Sequence, residues 1–239
     1  LYSLALKYDT DIIQYPTTDC TLYAEERGEK SCIHRNSKGN GYYEINSIIE
    51  RKQFLNSRIL NYGSQVKFYK RSFLLNNQSS FMEGVAYEEP SFVYPLLFTA
   101  QKIYIFDKPW YYCHIHKEST MQSYVRQKGK LYDHPRVQLF LFNIMRNKPQ
   151  IYQCFQSEID YYFLFTFYYE TLYFAVSGHL YLGLDFFQMM QDTIKQLLPE
   201  WQHNSYINLD ENKDVLSLLS TVDVEFNEVS FKTFLNEIA

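Results

Sequence analysis

The sequence predicts an α/β region followed by an all-α region, with the change near residue 125. Short β-rich runs alternate with helical patterns through the first half, whereas the second half holds long helical stretches without a convincing strand. The charge changes at the same place: residues 1–120 carry 14 basic and 13 acidic side chains and residues 121–239 carry 9 and 14, a shift from +1 to −5. A chain of 239 residues that is 46% hydrophobic can bury a substantial core in each part. Two domains are therefore expected, 1–125 and 126–239.

In chain order, "LYSLALKY" reads as the last turns of a helix, with no N-cap ahead of Leu1, so further residues are expected upstream. "DIIQYP" (Asp11 to Pro16) is a short buried strand ended by proline. "CTLYAEERGEKSCIHRNSKGNGYY" is polar, with turn signals at Arg27-Gly28 and at Lys38-Gly39-Asn40-Gly41, and reads as loop or hairpin. "YEINSIIERKQFLNSRIL" then sets Ile45, Ile48, Ile49, Leu55 and Ile59 on one helical face. "SQVKFYKRSFLLNN" is a short strand running into a short helix. Glu88, Glu89 and Pro90 open the helix of "SFVYPLLFTA": the acids suit its positive end and the proline suits its first turn. "QKIYIF" and "WYYCHIH" are two β-rich runs separated by the turn "DKP".

Helices are expected at 130–147, 150–177, 179–198, 210–221 and 226–238. The aromatic run "YYFLFTFYYETLYFAV" (Tyr161 to Val176) is short of a spanning length and contains Glu170 and Thr171, so it reads as a helix buried in a bundle. The 23 tyrosines and 19 phenylalanines are spread through core positions, which assigns most of them to packing.

A net charge of −4, a pI near 5.9 and no Lys/Arg run longer than two exclude the electrostatic footprint of a nucleic-acid binder. Cys20, Cys32, Cys113 and Cys154 are far apart and form no C-x-x-C, the pattern of free thiols in a reducing, cytoplasmic compartment.

Helix-terminus electrostatics suffices to explain Glu88 and Glu89, but their neighbours suggest a second account. "F-x-E-G-x-x-Y-E-E-x-x-F" (Phe81 to Phe92), then "A-x-K-I-Y-I-x-D-x-P-W-Y-Y" (Ala100 to Tyr112), then "S-T-M" from Ser119, resembles the C-terminal half of the catalytic domain in family 2 inverting glycosyltransferases. "VKFYKRSFL" is similar to that family's "K-L-Y-R-R-x-x-L" segment, and "LALKYDTDII" to the helix and strand that follow its metal site. Together these segments cover about residues 1–121 in the family's order.

The resemblance implies a partial GT-A domain, Rossmann-like, that moves a sugar from a nucleotide-diphosphate sugar to an acceptor hydroxyl with inversion. Glu89 stands where the family's Asp acts as general base, and Glu88 would hold the acceptor or orient the base. Lys67, His114, His116 and Ser119 would contact substrate, the two histidines beside the donor diphosphate. A divalent metal (Mg or Mn) is implied in the full-length enzyme. Its D-x-D ligands and the nucleotide-binding aspartate are expected upstream of Leu1, so no metal ligand is assigned in this chain. The implied partners are a nucleotide-diphosphate sugar and a glycan or lipid-linked acceptor in bacterial surface polysaccharide synthesis, at the inner face of the membrane. Two other readings stand beside this one. A catalytically inactive relative would serve as a binding or assembly module through its helical region, by self-association or peripheral membrane contact. An unrelated metal-dependent hydrolase would be built on His114, His116 and the glutamates.

Overall fold

Ile12, Ile13 and Gln14 make a three-residue strand buried along its whole length, β1 (Ile12–Gln14), and the first sheet is built around it. The computed structural model describes residues 1–21, 31–115, 131–177 and 182–238. The chain divides into two units: Leu1–Gly84 with Glu88–Ser123, and Val85–Tyr87 with Tyr124–Ala239. The first is mixed α/β, and every described element of the second is helical.

In the α/β unit, β1 pairs in parallel with β6 (Lys102–Ile105) and antiparallel with β5 (Lys67–Tyr69). β4 (Gly41–Glu44) joins β6 antiparallel, giving the strand order β4-β6-β1-β5. A second sheet sets β2 (Thr17–Thr21) between β3 (Ser31–His34), antiparallel, and β7 (Tyr111–Ile115), parallel. The adjacent runs "QKIYIF" and "WYYCHIH" thus enter different sheets. The β2–β3 pair is the hairpin expected of the polar stretch, although its residues 22–30 lie outside the described residues.

Asp11 fixes the start of the central pairing. Its Oδ2 accepts from the backbone N–H groups of Gln101 (2.8 Å) and Lys102 (3.0 Å), so one carboxylate satisfies two donors where β6 begins. The core is then apolar: Ile12, Ile13, Ile103, Ile105, Val93 and Leu96 are all fully buried.

The helices are α1 (Tyr2–Tyr8), α2 (Ile48–Ser57), α3 (Arg71–Asn77) and α4 (Glu89–Leu97). α2 starts at a capping box, in which Ser47 Oγ accepts from Glu50 N–H while the Glu50 carboxylate accepts from Ser47 N–H. The expected apolar face is not the buried one: Ile48 and Ile49 are exposed, and α2 buries Arg51 and Phe54 instead. The reason is polar, since Arg51 Nη1 donates to the Leu97 carbonyl at the end of α4, 2.9 Å away. Burial pushes the Arg51 pKa down to about 10, opposed by the charge of Asp11, so the guanidinium stays cationic at neutral pH. α4 carries Pro90 in its first turn, as the sequence predicts. The reading of four free thiols is corrected: Cys113 and Cys154 are free, but Cys20 is disulfide-bonded.

The helical unit runs α5 (Asp133–Arg146), α6 (Pro149–Phe163), a π-helical segment (Leu164–Glu170), α7 (Thr171–Ser177), α8 (Leu184–Leu197), α9 (Lys213–Leu219) and α10 (Glu228–Glu237). The aromatic run is buried as expected. Phe163, Leu164, Phe167 and Tyr168 are at most 1% exposed, and Phe163 stacks between Phe142 (4.2 Å) and Phe167 (4.7 Å). Among the described residues no helix is long and apolar enough to cross a membrane. Phe187 centres a second cluster, with Phe231, Phe226, Tyr168 and Phe234 at 4.8–5.9 Å. Three buried polar side chains find partners here: Tyr206 Oη donates to Glu158 (2.6 Å), Tyr152 Oη donates to Asp160 (2.7 Å), and His134 Nδ1 bonds to Thr171 Oγ1 (3.0 Å).

Two substitutions test these supports by urea denaturation. Asp11→Ala leaves two backbone donors at the start of β6 unsatisfied and should cost about 1–3 kcal/mol. Phe187→Ala empties the centre of the second aromatic cluster and should cost about 3–5 kcal/mol.

Candidate active site

Gln14, the last residue of β1, is 3% exposed and uses its amide at both ends. Nε2 donates to the Ile59 carbonyl (2.8 Å) and Oε1 accepts from Asn61 N–H (2.9 Å), which fixes the loop after α2 against the strand end. β5 runs opposite to β1, so its first residue, Lys67, sits in register beside Gln14. This edge also carries the C-terminal end of the parallel strand β6, and such edges are where open α/β sheets bind ligands.

Lys67 is 6% exposed, and its ammonium turns back onto the same loop, donating to Asn61 Oδ1 (2.9 Å) and to the Gly63 carbonyl (2.7 Å). Burial pushes its pKa down to about 7, while the negative charge of Glu89 pulls it upward.

Glu89 opens α4, where a carboxylate meets the positive end of the helix. Its Oε1 accepts two hydrogen bonds from one residue, Ser64 N–H (2.9 Å) and Ser64 Oγ–H (2.7 Å). Oε2 has no hydrogen-bond partner among the described residues, and the side chain is part-exposed. One oxygen is held and the other is available. Tyr69, two residues along β5 from Lys67, has a buried hydroxyl without a hydrogen-bond partner. Burial first and the Glu89 charge second raise its pKa, so it stays protonated. Its ring meets Phe92 edge-on at 5.7 Å, and Phe92 stacks on Phe81 at 4.4 Å, which seats the first turn of α4.

The other residues singled out in the sequence fare differently. Glu88 is the N-cap residue of α4. Its side chain makes no cap bond, and its carbonyl accepts from Ser91 Oγ–H (2.7 Å). His114 lies on β7 in the second sheet, exposed and in register with Cys20. His116 and Ser119 lie outside the described residues.

Four described non-glycine residues have a left-handed backbone. Asp9, Arg58 and Gln78 end helices, whereas Tyr87 (φ 61°) does not. A bulky residue in this conformation is strained, and Tyr87 immediately precedes the two glutamates. Its ring belongs to the helical unit, packing edge-on to His134 at 5.4 Å.

Ser64, Asn61 and Gln14 were not singled out in the sequence, and nothing local distinguishes them from ordinary loop and strand-end residues. The D-x-D spelling expected only upstream of Leu1 does occur in the chain, at Asp9-Thr10-Asp11. Its carboxylates are already engaged: Asp9 pairs with Lys70 (2.6 Å) and Lys102 (3.2 Å), which hold its pKa below the usual carboxylate range, and Asp11 caps β6. This is a strand-start device and not a free pair of metal ligands. Among the described residues no group of three or more His, Cys, Asp or Glu is placed to hold a metal ion.

No protein-family model matches the sequence, and no curated protein matches it.

The buried ammonium of Lys67 makes stability depend on pH. Between about pH 7 and its ordinary value of 10.5, the unfolded chain keeps a proton that the folded chain has released. Stability should therefore rise with pH across this window, at up to about 1.4 kcal/mol per pH unit for one proton. Below pH 7 both states are protonated and the cost of burying the charge is fully felt. Urea midpoints measured from pH 6.5 to 9.5 should climb in the wild type, and Lys67→Met should flatten the climb.

Proposed function

We propose that the α/β unit is the acceptor side of an inverting glycosyltransferase of GT-A type, with Glu89 as general base. The observation that carries the reading is the asymmetry of the Glu89 carboxylate: Oε1 is fixed by Ser64, and Oε2 is left with no partner among the described residues at the edge of the sheet. A base needs both a fixed position and a spare lone pair. Oε2 takes the proton of an acceptor hydroxyl as that oxygen bonds to the anomeric carbon. The bond from that carbon to the nucleotide diphosphate breaks on the opposite face, and the diphosphate leaves with the electron pair.

Glutamate is one methylene longer than the aspartate usual in the resembling family, and a misplacement of about 1 Å can cost ~10²-fold in rate. The two hydrogen bonds from Ser64 restrain that extra length. Lys67 acts as a positioning residue: its ammonium is spent on Asn61 and Gly63, in the loop that presents Ser64. His114, His116 and Ser119 are assigned to the donor-phosphate side, and Glu88 to orienting the acceptor. The implied divalent cation would neutralise the leaving diphosphate. No described residues offer it a ligand set, and its ligands are assigned to the D-x-D segment that the family carries ahead of the region resembled here.

The partners under this reading are a nucleotide-diphosphate sugar and a glycan or lipid-linked acceptor, met at the cytoplasmic face of a membrane. The disulfide at Cys20 pulls against a permanently reducing compartment.

The test is sugar transfer by the protein, over a panel of nucleotide sugars. Glu89→Gln should lower kcat by about 10²–10⁴-fold with little change in KM, the range for loss of a general base. Ser64→Ala should cost less, about tenfold, because the base remains but is free to move. Transfer by a folded Glu89→Gln protein at the wild-type rate would remove Glu89 from the role.

A further inference from the structure

The α/β unit holds a cleft of about 290 Å³ whose walls include Gln14, Thr17, Arg35, Lys38, Arg58 and Asn61. The chain as a whole is acidic, yet three of these wall residues are cations and no carboxylate lines the cleft. Exposed cations alone are weak evidence, and Arg58 also complements the negative end of α2. The hydrogen-bonding state of the walls adds the second observation.

Two of the amide oxygens in the walls are already engaged. Gln14 Oε1 is taken by Asn61 N–H, and Asn61 Oδ1 is taken by Gly63 N–H (3.0 Å) and Lys67 Nζ. The hydroxyls of Thr17, Ser37 and Tyr15 donate to Asp19, to the Gly39 carbonyl and to the Gln65 carbonyl. The donors are in surplus. Asp19 engages only Nε of Arg35 (2.8 Å), so among the described residues both terminal guanidinium nitrogens are unpartnered. Lys38 Nζ and Asn61 Nδ2 are likewise without partners among the described residues. A wall whose charged side chains are all cationic donors, with no carboxylate among them, favours a negatively charged acceptor group.

We infer that this cleft is an oxyanion site, which takes the phosphate or carboxylate group of a small hydrophilic ligand. Its volume is at the lower end for ligand pockets, which suits a single charged sugar or the charged end of a longer one. Asn61 joins it to the candidate active site, since its side chain lines the cleft while its Oδ1 holds Lys67. The inference needs only the cleft, and it stands whether or not Glu89 is a base.

The test is calorimetric titration of the whole chain with inorganic phosphate, glucose phosphate and glucuronate, with glucose as the neutral control. Saturable, salt-sensitive, one-to-one binding of at least one anion is expected, and none of glucose. Tighter binding of the phosphates would mark a phosphorylated ligand, and tighter binding of glucuronate a uronic acid. Lys38→Gln and Arg58→Gly should each weaken binding about tenfold, the loss expected for one charge-assisted hydrogen bond. Arg58→Gly also separates binding from folding, because glycine fits the left-handed backbone and the fold should survive the change. Glu89→Gln should bind the anion as the wild type does, which keeps this result independent of the transferase reading. Absence of saturable binding for all three anions, or undiminished binding when Lys38→Gln and Arg58→Gly are combined, would overturn the inference.

Discussion

The side-chain amide of Gln14 is the constraint from which the candidate active site follows. A primary amide buried at the end of a three-residue strand is costly unless both of its ends are bonded. The loop after α2 supplies both partners, Ile59 and Asn61. Meeting that demand sets the loop's path. Once the path is set, Asn61 and Gly63 are in place to receive Lys67, and Ser64 is in place to grip Glu89. An apolar residue at position 14 would remove the demand and leave the loop without its anchor.

The same logic of polar demand explains where sequence reading succeeded and where it did not. Hydrophobic periodicity located β1, β5 and the helices beyond residue 125, because those elements bury apolar side chains against one another. It misplaced the face of α2, because there the inward residue is Arg51, recruited to close the carboxyl end of α4. Glu89 was legible from its neighbours in the chain. Its support was not: Ser64 is 25 residues away and Asn61 is 47 from Gln14, and each is an ordinary polar residue until the fold brings its partner. The aspartates of Asp9-Thr10-Asp11 show the converse, a suggestive spelling whose carboxylates serve the fold.

The helical unit treats its aromatic excess in a different way. Phe142, Phe163 and Phe167 stack through a stretch that loosens from α- to π-helix, and the tyrosines that enter the core each bring a hydroxyl to a partner, as Tyr168 does with Thr221 (2.8 Å). π-helical turns are uncommon and recur at functional places. Here the turn also accommodates Glu170, whose carboxylate lies 3.7 Å from His134.

The parallel pairings at the heart of both sheets set an order of events during synthesis. β1 takes its parallel neighbour from β6 and β2 from β7, each about 90 residues further along the chain. Until the ribosome has released residues beyond 115, the hairpin of β2 and β3 is the one strand pair of the second sheet that can close, and β1 has only β5 to lean on. Contacts of such long range close slowly, and the nascent chain must carry Ile12 and Ile13 unburied for most of that interval. The segment most exposed to misassociation is therefore the one that the finished protein hides most completely.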